Sequence, residues 1–308
     1  MMKYAFVFPG QGSQYVNMGY DLYQKYPVAK KIFQRANDIL GFDLAQLCFE
    51  GPEESLRETK NTQPAVLTVS VACLAVLAEH GFSFYAVAGH SLGEYSALVA
   101  SGSLSFEDAV CLVRRRGILM QEAVPAGTGG MAAIIGLDKD SVQKACNEAG
   151  GLGAVEIANL NSPEQVVIAG EMPAVNKAMQ IAKEKGARRC VLLPVSAPFH
   201  CSLMKPVGKE MERVLSQVAV EDPVCDVVCN ATAGFVHNGE EVRNALIHQV
   251  FSPVRWTESV ELLINTGIDG FVEVGPGRVL TGLIRRINKN VQTANVQDCK
   301  SLSKLLAS

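Results

Sequence analysis

A serine held between two glycines, in Gly89-His-Ser-Leu-Gly93, offers a hydroxyl nucleophile in a G-x-S-x-G setting. The apolar stretch Tyr85-Ala-Val-Ala88 leads into it like a short buried strand. The helix-compatible stretch Glu94-Tyr-Ser-Ala-Leu-Val-Ala100 leads out. Strand, sharp turn and helix around this motif make a nucleophile elbow. The turn is too crowded for side chains at Gly89 and Gly93. Ser91 projects from it, and the Leu92 N–H at the helix start is placed to stabilise an oxyanion. The plain alternative is a glycine-rich turn with a capping serine.

A serine hydroxyl is barely ionised at neutral pH, so an imidazole must take its proton. The chain has five histidines. His80 sits beside Gly81 at a helix end and reads as solvated. His90 lies inside the elbow and is expected to point away from Ser91. His237 belongs to a polar loop with Asn238 and Gly239. His200 follows Ala197-Pro-Phe199 at an expected domain junction, where a cleft forms readily. His248 is its competitor, because a hydrolase-like order puts the histidine late in the chain.

Two further features bear on chemistry. Phe8-Pro-Gly-Gln-Gly-Ser13 reads as a strand followed by a loop whose glycines let the backbone approach a ligand and aim an amide donor from Gln11. No Lys-Ser/Thr follows, so it is not a phosphate loop. Arg114-Arg-Arg116 lies in an apolar helix spanning Phe106 to Met120. Successive residues diverge by about 100° there, so one arginine can face a cleft as a carboxylate fork while two stay solvated. Spacing alone favours three solvated arginines.

These groups need a scaffold. The chain has 308 residues, 48% of them hydrophobic, with a formal net charge of −3. That suits one large domain with a smaller insertion, and speaks against a nucleic-acid partner or an anionic membrane surface. Nine scattered cysteines read as reduced core residues of a cytosolic protein. Cys225 and Cys229 lack a second pair or nearby histidine, so no zinc site is expected. The apolar N-terminal run is too short for a signal peptide, and Pro64–Leu77 is too short to span a bilayer.

Strands are expected at 4–8, 85–88, 226–229, 270–274 and 292–296. Helices are expected at 26–39, 62–80, 91–101, 105–122, 203–217, 255–266 and 278–287. Between them, strand 131–136, helix 139–149, strands 154–159 and 165–169, helix 173–186 and strand 189–193 give the order β-α-β-β-α-β. The expected fold is α/β. A large α/β-hydrolase-like domain with a parallel sheet core (1–125 and 198–308) carries a small inserted ferredoxin-like domain (126–197).

The motifs together resemble malonyl-CoA:acyl carrier protein transacylases of type II fatty acid synthesis over essentially the whole chain. The resemblance rests on Phe8-Pro-Gly-Gln-Gly-Ser-Gln14, Gly89-His-Ser-Leu-Gly-Glu94 and Arg116-Gly-Ile-Leu-Met-Gln-Glu122. It continues with Asn159-Leu-Asn-Ser-Pro163, Val166-Val-Ile-Ala-Gly170 and Ala197-Pro-Phe-His200. Gln249 before Ser252-Pro-Val-Arg-Trp256, and Glu273-Val-Gly-Pro-Gly277, close the set.

The resemblance implies Ser91 as nucleophile and His200 as base, with the main-chain carbonyl of Gln249 orienting the imidazole. It implies an oxyanion hole from Leu92 and Gln11, and Arg116 as the malonyl carboxylate clamp. Phe199 and Met120 are assigned to the substrate pocket. Malonyl-CoA is the implied substrate and holo-acyl carrier protein, bearing its own phosphopantetheine, the partner. No metal or cofactor, a cytoplasmic location and a monomer complete the expectation. A serine hydrolase and a non-catalytic acyl-CoA or carrier binder are the rival readings. Basic groups at Lys183, Lys185, Arg188 and Arg189, and at Arg285, Arg286 and Lys289, could receive an acidic carrier helix, but ordinary solvated surface is the favoured reading of each.

Overall fold

Five consecutive apolar or aromatic residues, Tyr4–Phe8, have four positions fully buried, as a strand covered on both faces requires. This is β1 of a computed structural model that describes residues 2–125, 127–195 and 197–307. Ala126, the expected first residue of the insertion, lies outside them. The later strands are β2 (Ala86–Gly89), β3 (Gly129–Ile135), β4 (Val155–Ser162), β5 (Gln165–Glu171), β6 (Arg189–Leu192), β7 (Asp226–Val228), β8 (Phe235–Val236), β9 (Gly270–Val274) and β10 (Gln292–Val296).

They form two sheets. The larger has the order β10-β9-β1-β2-β7-β8, parallel except for the antiparallel edge strand β8. Register pairs Ala5 with Ala86, Phe8 with Gly89 and Tyr4 with Gly270. The chain is therefore mixed α/β with a parallel-containing sheet. Parallel strands end together, so the loops after β1, β2 and β7 emerge side by side. Ligands of open α/β sheets bind at such carboxyl ends.

The smaller sheet has the order β4-β5-β3-β6 and is antiparallel throughout. Period-2 alternation decides its faces. Ala132 and Ile134 pack with helices Lys139–Ala149 and Met172–Glu184, while Met131 and Ala133 join the main core. Strand β4 is also tied through backbone to the segment before helix Trp256–Asn265. Val254 N donates to Ala158 O and Leu160 N to Val254 O, both at 2.9 Å.

Helix Thr59–Glu79 is long and apolar enough to cross a membrane by length and composition, with a mean hydropathy of 1.5. Its window is 78% buried inside the protein, so it serves as a core helix. Pro64 sits inside it and has no N–H for the carbonyl of Lys60. Arg114 fills that vacancy, its Nη1 donating to Lys60 O at 2.6 Å and also to Asn61 Oδ1. The guanidinium lies 5.1 Å from the Phe42 ring centroid. Arg114 is thus a structural tie, which corrects its reading as a solvated arginine. Arg115 is exposed and Arg116 buried.

The long elements fall close to expectation, and helix Lys139–Ala149 matches it residue for residue. Strand β8 and the helices Tyr20–Lys25, Leu44–Glu50, Glu53–Arg57, Gly239–Gln249 and Cys299–Leu306 were not expected. Most are too short to develop a periodic pattern.

Candidate active site

Strand β2 delivers the elbow to the carboxyl end of the larger sheet. A Cβ on Gly89 would lie 1.9 Å from the carbonyl atoms of Gly93, and one on Gly93 would lie 2.0 Å from Phe8 O. The close approach therefore demands glycine at both. Ser91 pays for the turn with a positive φ of 52°, and His200 has φ 60°. Non-glycine residues avoid this region unless their surroundings enforce it.

Here the surroundings do enforce it. Ser91 N donates to Asn230 Oδ1 at 2.6 Å, and Ser91 O accepts from Gln249 Nε2 at 2.8 Å. Asn230 Nδ2 in turn donates to Gly89 O at 2.6 Å. Both main-chain groups of the serine are thus gripped by side chains that follow β7 or end helix Gly239–Gln249.

Ser91 Oγ lies 2.7 Å from His200 Nε2, and His200 Nδ1 lies 2.9 Å from Gln249 O. A carbonyl can only accept, so the proton resides on Nδ1 and the Nε2 lone pair faces the serine hydroxyl. His200 is buried, and desolvation, aided by the Arg116 charge, pulls its pKa down to about 3. The imidazole is neutral in the resting protein and ready to accept a proton.

Arg116 is also buried. Its Nη1 donates to Gln63 Oε1 at 2.8 Å, and its Nη2 to Ser91 Oγ at 3.1 Å and Gln249 Oε1 at 2.9 Å. Nε has no partner among the described residues, and the guanidinium forms no ion pair among them. A buried guanidinium held only by neutral oxygens is a vacancy for a carboxylate.

A cavity of about 100 Å³ opens over these groups, lined by Ser91, His200, Arg116, Gln11, Met120 and Phe199, and on the smaller sheet's side by Met131 and Asn159. A larger recess, about 320 Å³, lies at edge strand β10 and contains none of the reactive groups. Chemistry, not volume, selects the smaller one. Neither the Leu92 N–H nor the Gln11 N–H meets an acceptor among the described residues. The Gln11 side chain is occupied, Nε2 donating to Thr59 Oγ1 at 3.2 Å. Its backbone N–H, rather than an aimed side-chain amide, is the group left free.

The remaining histidines stand apart from the serine hydroxyl. His90 turns across to the smaller sheet, its Nε2 lying 2.8 Å from Asn161 Oδ1 and its ring 5.7 Å edge-on from Trp256. It nevertheless lines the cavity. His248 is exposed and bonds Asn244 O within its own helix, so the hydrolase-like order finds no partner in it. His80 likewise bonds Val76 O one turn back.

Sequence reasoning assigned no role to Gln63, Asn230 or Glu94. Glu94 is buried at the first turn of helix Gly93–Ala100, and burial pushes its carboxyl up to about 7. Its Oε2 accepts from Gln249 Nε2 and from Asn230 N, each at 2.9 Å. A charged residue three places after the serine, inside an apolar helix, was the only available signal.

An elbow serine touching a neutral imidazole, beside unpaired amide donors in an α/β scaffold, equips a protein to carry acyl groups on a hydroxyl. The chain belongs to the acyl transferase domain family, whose model matches residues 5–306, and it is an acyltransferase. The malonyl CoA-acyl carrier protein transacylase of Bacillus subtilis is 46% identical over 98% of this chain and 96% of its own length. The crystal structure of an acyl carrier protein S-malonyltransferase from Vibrio cholerae superposes with TM-score 0.96 at 47% identity, covering 98% of this chain and 99% of that one. A malonyl-transacylase in complex with a holo type II PKS acyl-carrier protein gives TM-score 0.97 at 47% identity, covering 99% of each chain.

Proposed function

We propose that the protein moves the malonyl group of malonyl-CoA onto the phosphopantetheine thiol of holo-acyl carrier protein, through a malonyl ester on Ser91. The contact of one serine oxygen with both His200 and the carboxylate-free Arg116 carries this reading. The names and near-complete coverage of the relatives support it.

The free carboxylate of malonyl-CoA docks on Arg116, with Gln63 and Gln249 giving way or sharing donors. Ser91 Oγ attacks the thioester carbonyl while its proton passes to His200 Nε2. The negative charge that develops on the carbonyl oxygen falls to the N–H groups of Leu92 and Gln11. The C–S bond breaks, the CoA sulfur takes the proton from His200, and the malonyl ester remains. The carrier's thiol then gives its proton to His200, and its sulfur attacks the ester carbonyl. Ser91 recovers the proton as it leaves. Thioester exchanges for thioester, so the equilibrium lies near balance, and excluding water is the demanding part.

The carboxylate also tunes the base. Arg116 is one of the influences holding the His200 pKa down. Pairing it with malonate weakens that influence and makes His200 more basic when the right substrate is bound. A neutral carbonyl from Gln249, in place of an aspartate, avoids repelling the malonate. Phe199 and Met120 limit the space around the malonyl carbon. No metal or other cofactor takes part in this scheme.

In this reading residues 1–125 and 198–308 form an α/β-hydrolase-like domain, and 126–197 a ferredoxin-like insertion whose sheet walls the cleft. The enzyme works as a cytoplasmic monomer. Incubation with radiolabelled malonyl-CoA followed by acid precipitation tests the proposal. Labelled protein is expected from the wild type and none from Ser91→Ala. Free malonate in place of labelled protein would instead identify a hydrolase.

A further inference from the structure

The scheme above gives no task to Glu94, a buried carboxyl beside the reacting groups. Glu94 is 1% exposed and makes no ion pair among the described residues. A carboxylate taken out of water without a direct counter-charge is costly, and such groups are retained where they order something. Its two donors are Gln249 Nε2 and Asn230 N. These two residues are also the ones that hold the Ser91 main chain, Gln249 at the carbonyl and Asn230 at the N–H.

The Gln249 amide is the critical link. An amide can be placed either way round, with oxygen and nitrogen exchanged. Glu94 accepts only from the nitrogen, so it fixes Nε2 on its own side and aims Oε1 at Arg116 Nη2. The main-chain oxygen of the same residue takes His200 Nδ1. One carboxylate therefore reaches nucleophile, base and clamp through a single glutamine. It also sets a negative charge behind a neutral amide, facing the guanidinium, with the polarity of each bond aligned from Glu94 to Arg116.

We propose that Glu94 is a positioning residue for acyl transfer, fixing the Gln249 amide so that Ser91, His200 and Arg116 hold one arrangement. Its charge offsets Arg116 until the substrate carboxylate arrives. The proposal rests on the malonyl-transfer reading. It implies two separable contributions, one from position and one from charge.

Glu94→Gln keeps the size and removes the charge, and its own amide can turn to present a nitrogen to Gln249. Misalignment of about 1 Å costs on the order of a hundredfold in such sites. We expect kcat per labelled serine to fall tenfold to a hundredfold, on the order set by that misplacement. KM for malonyl-CoA should hold or fall, because an uncompensated Arg116 attracts the carboxylate more strongly. The malonyl-to-acetyl preference should rise severalfold. Glu94→Asp keeps the charge but withdraws it by one methylene, so the wild-type preference should return while kcat stays low.

Steady-state kinetics with malonyl-CoA and acetyl-CoA, normalised to the labelled fraction, read both contributions. An E94Q enzyme with wild-type kcat and preference overturns the proposal. So does one with reduced kcat but an unchanged preference, since a role in folding alone predicts that result. If E94Q fails to fold, E94D decides, and wild-type kcat in E94D overturns it equally. Absence of malonyl transfer in the wild type would instead remove the function itself.

Discussion

Ser91 Oγ is pulled two ways. His200 Nε2 stands to take its proton at 2.7 Å, while Arg116 Nη2 donates into its lone pair at 3.1 Å. The second contact makes the resting oxygen a poorer nucleophile, and a carboxylate that draws Arg116 away would release it. Arg116→Ala should therefore separate two substrates. Malonyl transfer loses a charged contact worth about 3–5 kcal/mol, a fall of about two to four orders of magnitude. Acetyl transfer, which now meets an unpaired guanidinium, should hold or rise. The ratio of the two rates checks this, with Arg115→Ala as an exposed control; a ratio moved by Arg115 and not by Arg116 would misplace the clamp. Ser91 and His200 were readable because their chemistry needs rare residue types in recognisable surroundings. Arg116 was not separable from its neighbours by spacing, and only the family resemblance selected it. Glu94, Asn230 and Gln63 escaped because a polar residue folded into the interior leaves no periodic trace. Its partners lie up to 155 positions away.

At the scale of elements, the helix Phe106–Glu122 repairs a gap in the helix Thr59–Glu79. Pro64 leaves Lys60 O without its usual donor, and Arg114 crosses over to supply one. Arg114→Ala should cost about 1–3 kcal/mol, as for a carbonyl that loses its partner. Adding Pro64→Ala restores the N–H and should recover part of the loss. Urea unfolding of the two single variants and the double variant measures the coupling, and strictly additive effects would rule the repair out. Long elements were legible because burial imposes a period on them, as in helix Lys139–Ala149. Helix Gly239–Gln249 was not, since Val242, Leu246 and Gln249 are its only fully buried side chains. That omission hid the element that carries the orienting carbonyl. The boundary residues of β2 shifted by one because Tyr85 is exposed, so its apolar character did not mark strand.

The molecule as a whole should show two buried titrations working against each other. His200 has its pKa lowered from 6.5 to about 3, so between those values the unfolded chain binds the extra proton and stability falls as pH falls. Glu94 has its pKa raised from 4.5 to about 7, so there the folded chain binds the extra proton and stability falls as pH rises. From pH 4.5 to 6.5 the slopes oppose. Glu94→Gln removes one of them, so the variant's stability should rise more steeply with pH across that window than the wild type's. Unfolding free energies at several pH values test this; a variant whose profile parallels the wild type would mean that Glu94 does not titrate there. Sheet order carries a different consequence. Strand β1 lies between β2 and β9, and its partner on one side, Gly270–Val274, is encoded near the far end of the chain. At about 5–20 residues per second, a ribosome releases β9 on the order of half a minute after β1. During that interval the nascent chain carries an apolar strand with an open edge, the kind of edge that recruits other chains. Every polypeptide terminated before Gly270 keeps that edge permanently, so incomplete synthesis of this enzyme yields sticky fragments rather than harmless ones.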